Sequence, residues 1–386
     1  MKTRMLFSQS QSMTNKFLFI ILLILFNSFN STYAQKKWPT EPLRGLNTRV
    51  ITNINKFPRD SMSYLNEEHF KVFDEWNVNV LRVRFRLDPE YLKEKLQYEL
   101  PLGKEDWNPD CYKESFSLIE HTLEYAAKYD MKVILFTNKE IRGGKTEIFY
   151  DKKKKKGYYF EILNIWKYIA KKYGSHPNLL AIDPLGEPIP KIELEKWSDY
   201  LFKEFIAEIQ TIDKETFIMY APGPRWRNDN FKDLKPFDNE KVVYTFHFYY
   251  PFEYTHQVLK GHSQKPLEYP GYAFSTFKRD KLYWDKIQMK NYLKVAIDFC
   301  NKYNKKLFVG EFSVIRWAPA ADKWVNDILQ TLEENNVSWS YHGIGGWNGW
   351  NPTFAKSDRK NSESFGNMET KSLENLKSFW SLNNQK

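Results

Sequence analysis

The chain has 386 residues, 42% of them hydrophobic and 17% aromatic, so it can bury a large core and global disorder is excluded. Its formal net charge is +10, but the sequence has no helix-turn-helix, RNP or zinc-finger pattern that would make nucleic acid the expected partner. Cys111 and Cys300 have no nearby pair of histidines, so we expect no metal site and no cofactor. Cys300 lies on the apolar face of a predicted helix, which favours a buried thiol over a disulfide.

Residues 1–34 differ from the rest of the chain. Basic residues, the last of them Lys16, precede an apolar run at 17–26, and small and polar residues follow up to Ala34. This order is typical of a signal peptide cleaved after Ala34. The apolar run is short for a membrane span, which makes an uncleaved anchor the weaker alternative. We therefore expect residues 35–386 to form a secreted or periplasmic domain with a charge of about +7 and no integral membrane segment.

Past residue 40, short apolar runs alternate with amphipathic segments. Near-continuous apolar runs are typical of the buried strands of a parallel sheet. Eight strands are predicted, at 43–50, 79–85, 131–137, 179–185, 216–221, 242–249, 306–312 and 338–344. The segments between them carry helical apolar stripes, such as Leu194, Trp197, Leu201, Phe205 and Ile209.

Eight strand–helix units predict an α/β fold of one domain, a (β/α)8 TIM barrel. An open doubly wound sheet is the alternative, but its usual glycine-rich phosphate-binding turn is missing. The longest segments predicted to be irregular are 251–284 and 345–368. Both follow strands, so both are expected to build the active-site face of the barrel.

Two predicted strands end in a single glutamate. Glu187 follows the fourth strand and Glu311 ends the seventh. Burying a lone carboxylate costs several kcal/mol unless it is partnered or protonated, so either residue alone could be a salt-bridged strand end. Two carboxyls that face one chamber about 5 Å apart fit the acid/base and the nucleophile of a retaining glycosidase.

Short motifs along the chain resemble those of glycoside hydrolase family 5, the cellulase-like (β/α)8 barrels. Each motif is weak alone, but their order and their fit to the predicted strands are specific. They are Arg44-Gly45-Leu46-Asn47 for R-G-(I/V/L)-N, Asn79 to Arg82 for N-x-x-R, Gly186-Glu187-Pro188 for N-E-P, His247 to Tyr249 for H-x-Y, Gly310-Glu311-Phe312 for G-E-(F/W), and the eighth-strand segment Trp339 to His342.

The resemblance implies a double-displacement mechanism. Glu311 would attack the anomeric carbon, and Glu187 would protonate the departing oxygen and then deprotonate water. Arg82 would support the nucleophile, and Tyr249 would hydrogen-bond to it. His247 would contact the acid/base or the sugar, with a satisfied strand histidine as the alternative reading.

Other positions depart from the family pattern or extend the predicted site. The family's asparagine before the acid/base, which binds the sugar 2-hydroxyl, is Gly186 here. Asn138 stands near the end of the third strand, where it would replace a substrate-binding histidine. His342 stands where a platform tryptophan is common. At least one of Trp347 and Trp350 is expected to line the sugar cleft; the alternative is that both pin the long loop.

The sequence thus predicts a secreted glycoside hydrolase that acts on a polysaccharide or oligosaccharide with β-linkages, cellulose-like β-glucan being favoured. Activity on β-mannan, xylan or xyloglucan is the nearest alternative, because loops set the substrate. A non-catalytic glycan-binding barrel, which Gly186 would favour, and a phosphate-binding isomerase barrel are the alternatives from other classes. We expect a monomer.

Overall fold

The structure is a computed structural model that describes residues 35–50, 65–85, 109–137, 158–187, 195, 198, 202–223, 228–259, 266–274, 281–344, 348–354 and 369–384. The chain divides into a unit Met1–Lys37 and a unit Trp38–Lys386. In the first unit the described residues, 35–37, belong to no helix or strand. The predicted signal peptide lies outside the described residues.

Eight parallel strands close into a barrel, which confirms the predicted fold and rules out the open sheet. Strands that are neighbours in the barrel follow one another along the chain, and the last barrel strand pairs with the first. Predicted and observed strand ends differ by no more than two residues. The barrel strands are β1 Arg44–Val50, β2 Val80–Phe85, β3 Lys132–Phe136, β4 Leu179–Asp183, β5 Phe217–Tyr220, β6 Val242–Phe248, β9 Lys306–Phe312 and β10 Ser338–His342.

The helices between the strands are amphipathic and turn their apolar sides to the barrel. Of the stripe predicted before β5, Phe205 and Ile209 are buried, and its three earlier residues lie outside the described part. The helices are α1 Glu67–Glu75, α2 Lys113–Lys128, α3 Tyr158–Tyr173, α4 Lys203–Gln210, α5 Phe252–Thr255, α6 Lys286–Lys302, α7 Ala321–Glu333 and α8 Lys371–Trp380.

The prediction that residues 251–284 are irregular is wrong. This segment contains the short helix α5 and an antiparallel hairpin of β7 Gly271–Phe274 and β8 Lys281–Trp284. Both hairpin strands have one exposed face, whereas the barrel strands are buried on both faces, so the buried apolar runs that predicted the barrel did not reveal the hairpin.

The barrel interior is closed near the amino ends of its strands. There the side chains of Leu43, Val80, Phe217 and Phe308 form an apolar cluster inside the barrel. Trp38 packs edge-on against Phe217 and Phe308, with ring centroids 5.4 and 6.2 Å apart. Because this end is filled with apolar groups, the polar chamber lies at the carboxyl ends of the strands, as is usual in such barrels.

Two further predictions concern the thiols and the membrane. Cys300 is a buried free cysteine, and burial raises the pKa of its thiol to about 12. The side chain of Cys111 lies outside the described part of the chain. Within the ranges given above, no helix has the length and apolar character needed to cross a bilayer.

Candidate active site

Strand register brings the predicted site residues side by side at the carboxyl end of the barrel. His247 of β6 is opposite Glu311 of β9. Asn47 of β1 is opposite both Arg82 of β2 and His342 of β10. A register shift between Phe246 and His247 aligns the last two residues of β6 with Glu311 and Phe312. The side chains of these register partners therefore face one chamber inside the carboxyl end of the barrel.

Glu311 is buried, and each of its two carboxylate oxygens accepts a hydrogen bond. Arg82 Nη1 donates to Oε1 at 2.9 Å, and the Tyr249 hydroxyl donates to Oε2 at 2.9 Å. The Nδ1 atoms of His247 and His342 lie 3.4 and 3.8 Å from Oε2. The carboxylate is thus fixed in position by donors on both sides.

Glu187 is the second carboxyl of the chamber, and 14% of its side chain is exposed. Its Oε1 lies 3.1 Å from His247 Nδ1, so this imidazole stands between the two glutamates. One oxygen of Glu187, one nitrogen of His247 and one oxygen of Glu311 all lie within 4.8 Å of one another. Such a donor set could also hold a divalent cation, but Arg82 and Tyr249 already donate to Glu311, and His247 already lies within hydrogen-bond distance of Glu187.

Charges and burial fix the protonation of the chamber. Burial alone would raise the pKa of Glu311, but the positive charges that His247 and His342 carry when protonated, together with that of Arg82, hold that pKa well below its usual range. Burial lowers the pKa of His342. Burial, with Glu311 and Glu187 nearby, raises the pKa of Tyr249 well above its ordinary value, so the phenol keeps the proton it donates. At neutral pH the chamber therefore contains an ionised Glu311, a neutral His342 and a protonated Tyr249.

Arg82 is completely buried and has three polar partners. Besides Glu311, it donates from Nη1 to Asn47 Oδ1 at 2.8 Å, and from Nε and Nη2 to Asp183 Oδ2 at 3.1 and 2.7 Å. The Phe136 ring covers the guanidinium, with Cζ 3.6 Å from the ring centroid. One cation thus serves two buried carboxyls.

Asn47 and Asp183 complete the surroundings of Arg82, a pairing that the sequence did not predict. Asn47 lies in the opening motif, and its Nδ2 donates to Gly310 O at 2.5 Å and to Ser340 Oγ at 2.8 Å, which ties β1 to β9 and β10. Asp183 is 0% exposed, and burial raises its pKa against the opposing effect of Arg82. A charged residue at the end of an apolar strand was the signal that Asp183 needs a buried partner, although the sequence does not say which cation provides it.

Two glycines allow close approach within the chamber. A Cβ at Gly310 would stand 2.8 Å from Thr245 Oγ1 and 3.3 Å from the His247 ring, so glycine lets His247 lie against β9. A Cβ at Gly186 would stand 2.9 Å from Arg82 Nη2 and 3.1 Å from Phe136 Cδ2. The position that the family gives to asparagine is therefore closed by Arg82 and Phe136 in this chain.

We expect Gly186→Ala to destabilise the protein by about 1–3 kcal/mol, the usual cost of an added methyl in a tightly packed site. The added Cβ pushes on the buried guanidinium and on the ring above it. Gly186→Asn should cost more and should not increase turnover. Urea denaturation gives the free energy of unfolding; an unchanged midpoint for both variants would contradict the packing argument.

Of the remaining predicted residues, His342 and Trp350 lie within the described part of the chain, and they differ in exposure. The side chain of His342 is 30% exposed beside Glu311, whereas Trp350 is 8% exposed. Trp350 packs against Tyr249 and His256, with ring centroids 5.7 and 4.8 Å apart. Trp350 is therefore mostly covered by side chains of the segment that follows β6. Asn138 and Trp347 lie outside the described residues.

Comparison with known proteins identifies the family of this site. The model of the family "Cellulase (glycosyl hydrolase family 5)" matches residues 32–350. Endoglucanase C of Acetivibrio thermocellus is 30% identical over 280 residues, which are 64% of this chain and 79% of that protein.

Two solved structures of Thermotoga maritima Cel5A share the fold. The complex with cellobiose has a TM-score of 0.60 at 19% identity and covers 86% of this chain and 97% of the other. The complex with mannotriose has a TM-score of 0.59 at 17% identity, with 87% and 98% covered. The family match spans most of the sequence, which leaves no support for the isomerase or the non-catalytic barrel. The chain therefore belongs to glycosyl hydrolase family 5 and is a glycoside hydrolase.

Proposed function

We propose that the protein hydrolyses a β-linked glucan by double displacement, with Glu311 as nucleophile and Glu187 as acid/base. The observation that carries the proposal is the separation of the two carboxyls. One oxygen of Glu187 lies within 4.8 Å of one oxygen of Glu311. Retaining glycosidases hold their carboxyls about 5 Å apart, and inverting ones leave about 6.5–9.5 Å for a water molecule.

The environment of Glu311 suits a nucleophile. It is ionised, and donors on both oxygens aim it without neutralising it. In the first step a Glu311 oxygen bonds to the anomeric carbon while the bond to the leaving oxygen breaks, and the proton of Glu187 goes to that oxygen. In the second step Glu187 takes a proton from water, whose oxygen bonds to the anomeric carbon and releases Glu311.

His247 lies close to both glutamates. Its Nδ1 lies 3.1 Å from Glu187 and 3.4 Å from Glu311, so it can hold the acid/base in reach of the leaving oxygen. His342, neutral and partly exposed beside Glu311, is proposed to hydrogen-bond the sugar in that part of the chamber. Arg82 and Tyr249 are proposed to act on Glu311 rather than on the glycan.

The name of the curated relative favours β-glucan as the substrate, because that relative is an endoglucanase. The fold alone does not determine the substrate, since solved structures of the same architecture bind cellobiose and mannotriose. Gly186 provides no side-chain donor for a sugar hydroxyl, so recognition there falls to other groups. β-Mannan, xylan and xyloglucan are the substrates to compare.

The direct experiment follows the anomeric configuration of the product by proton NMR during hydrolysis of soluble β-glucan, mannan, xylan and xyloglucan. We expect the fastest turnover on β-glucan and initial release of the β-anomer. Initial release of the α-anomer would replace double displacement by inversion, and preference for another polymer would change the substrate.

Replacing Glu187 by Ala should separate its role as acid in the first step from its role as base in the second. We expect turnover of a glucan to fall about 10²–10⁴-fold, the usual contribution of general acid–base catalysis. An aryl glycoside with a good leaving group needs no proton, so its first step should persist and aryl alcohol should appear in a burst. Stopped-flow absorbance detects the burst; equal losses on both substrates would contradict the assigned role.

We also propose that the protein is exported, with its signal peptide cleaved after Ala34, and acts as a monomer. The basic, apolar and small-residue order of residues 1–34 supports export. Expression of the full chain in a bacterial host, with N-terminal sequencing of the exported product and light scattering, tests both points. A product that starts at Met1, or a dimer mass, would contradict them.

A further inference from the structure

The hairpin of β7 and β8 has two unlike faces. Its register pairs Tyr272 with Tyr283 and Phe274 with Lys281, and paired residues of an antiparallel sheet lie on the same face. One face of the hairpin therefore carries four side chains, which we call the hairpin platform: Tyr272, Phe274, Lys281 and Tyr283.

The opposite face of the hairpin is packed on the protein. Ala273 and Trp284 are 3% and 2% exposed. Trp284 stacks on Tyr250 with ring centroids 5.9 Å apart and planes at 17°. Tyr250 follows Tyr249, which donates to Glu311, so the hairpin rests on the segment that forms one side of the active-site chamber.

The platform face is exposed to solvent, although it is aromatic. Tyr272, Phe274 and Tyr283 are 59%, 49% and 48% exposed. They make up half of the large hydrophobic residues that are exposed within the described chain, the others being Ile212, Ile287 and Tyr303. A solvated strand face is normally polar, and clustered rather than scattered exposed apolar side chains mark a binding surface.

The chemistry of the platform fits a carbohydrate chain. Aromatic rings offer flat apolar faces to the C–H faces of pyranoses, while tyrosine hydroxyls and a lysine ammonium bond to sugar hydroxyls. The Tyr272 and Tyr283 rings are 5.1 Å apart and inclined at 72°, and Lys281 Nζ lies 5.3 Å from the centre of the Tyr272 ring. Rings at different inclinations can follow the twist of a polymer rather than a flat crystal face.

We propose that the hairpin platform is a second glycan-binding surface, outside the catalytic chamber, that holds a β-linked polysaccharide beside the active site. This rests on the proposed function, because the chamber must act on such a chain for the platform to serve it. Stacking on the platform adds affinity for polymers long enough to span both places. Short substrates that fill the chamber alone gain nothing from it.

The test compares Tyr272→Ala/Phe274→Ala/Tyr283→Ala with a matched control, Tyr303→Ala. Tyr303 is also an exposed tyrosine, at 37%, but it ends α6 ahead of β9, at the amino end of the barrel. Affinity electrophoresis through gels with soluble β-glucan measures binding. We expect the triple variant to weaken binding at least about fivefold, which corresponds to the stacking energy of one ring or more, and the control to match the natural protein.

Kinetics give the second readout. The triple variant should raise KM for the polymer at unchanged kcat and leave turnover of an aryl cellobioside unchanged. Equal losses on both substrates would indicate a structural role and overturn the proposal, as would unchanged polymer binding. The single variant Tyr272→Ala, with the most exposed ring, provides the same comparison if the triple variant folds poorly.

Other outcomes separate the two proposals. If the natural protein is retarded by β-glucan and the triple variant is not, but neither hydrolyses any glucan, the platform stands and the proposed activity fails. A natural protein that is dimeric, with a triple variant that is monomeric by light scattering, would assign the platform to a second copy of the chain and overturn the glycan site.

Discussion

Replacing Glu311 by Ala is expected to lower kcat on soluble β-glucan by about 10⁵-fold, in the range found when covalent hydrolases lose their nucleophile. No other carboxylate of the described chamber can attack from the same position, because the proposed mechanism places Glu187 on the leaving oxygen and Asp183 is 0% exposed behind Arg82. The fold should survive, since Arg82 keeps Asp183 and Asn47 as partners. Steady-state kinetics and circular dichroism measure the two effects.

Azide distinguishes a lost nucleophile from a damaged site. In Glu311→Ala the small anion can enter the space of the carboxylate and should give an α-glycosyl azide from an activated β-glycoside. In Glu187→Ala it should react with the glycosyl-enzyme and give the β-azide. Glu240→Ala, which removes a glutamate with a side chain 74% exposed, is the control and should keep full activity. Undiminished turnover in Glu311→Ala would end the assignment.

The barrel could be predicted because its strands are buried on both faces and therefore appear in the sequence as apolar runs. The same property located the site, since a charged residue at the end of such a run has few places to lie except the chamber. Glu187 and Glu311 were predicted in this way and His247 from the family resemblance, and the structure brings one atom of each of the three within 4.8 Å.

Features that depend on contacts between distant segments could not be predicted. The pairing of Arg82 with Asp183 requires the angle between β2 and β4, which no local pattern encodes. The closure of the Gly186 position by Phe136 likewise depends on the packing of β3 beside β4. At least one of Trp347 and Trp350 was expected to line the cleft, and the sequence contained no sign that the Trp350 ring packs on Tyr249.

Replacing Arg82 by Ala is expected to destabilise the protein by about 3–5 kcal/mol at pH 7, because removal of one partner leaves buried charges uncompensated. Arg82 is the cation that bonds both Asp183 and Glu311, and all three side chains are almost completely buried. Turnover per folded molecule should also fall, because Glu311 loses the donor on Oε1. Arg44→Ala is a matched control, since Arg44 is 7% exposed and paired with Glu333 at the amino end of β1.

The loss in Arg82→Ala should depend on pH in a defined direction. In the natural protein the folded pKa of Glu311 lies below its ordinary value of 4.5, so its contribution to stability is present above that value and is lost as the pH falls. Without Arg82, burial should raise the folded pKa of Glu311, and that of Asp183, already raised by burial, should rise further, so the variant recovers stability as the two carboxyls take up protons. The difference in free energy of unfolding between the two proteins should therefore be smaller at pH 4 than at pH 7.

A second substitution separates charge from packing. Asp183→Asn removes one of the two buried carboxylates and should recover part of the stability of Arg82→Ala at pH 7, whereas in the natural background it costs stability by removing a partner of Arg82. Asp183→Asn has opposite effects on stability in the two backgrounds because the positive charge of Arg82 stabilises the protein only by compensating the buried anions around it. If Asp183→Asn destabilises both backgrounds equally, the loss comes instead from the cavity that the guanidinium leaves under the Phe136 ring.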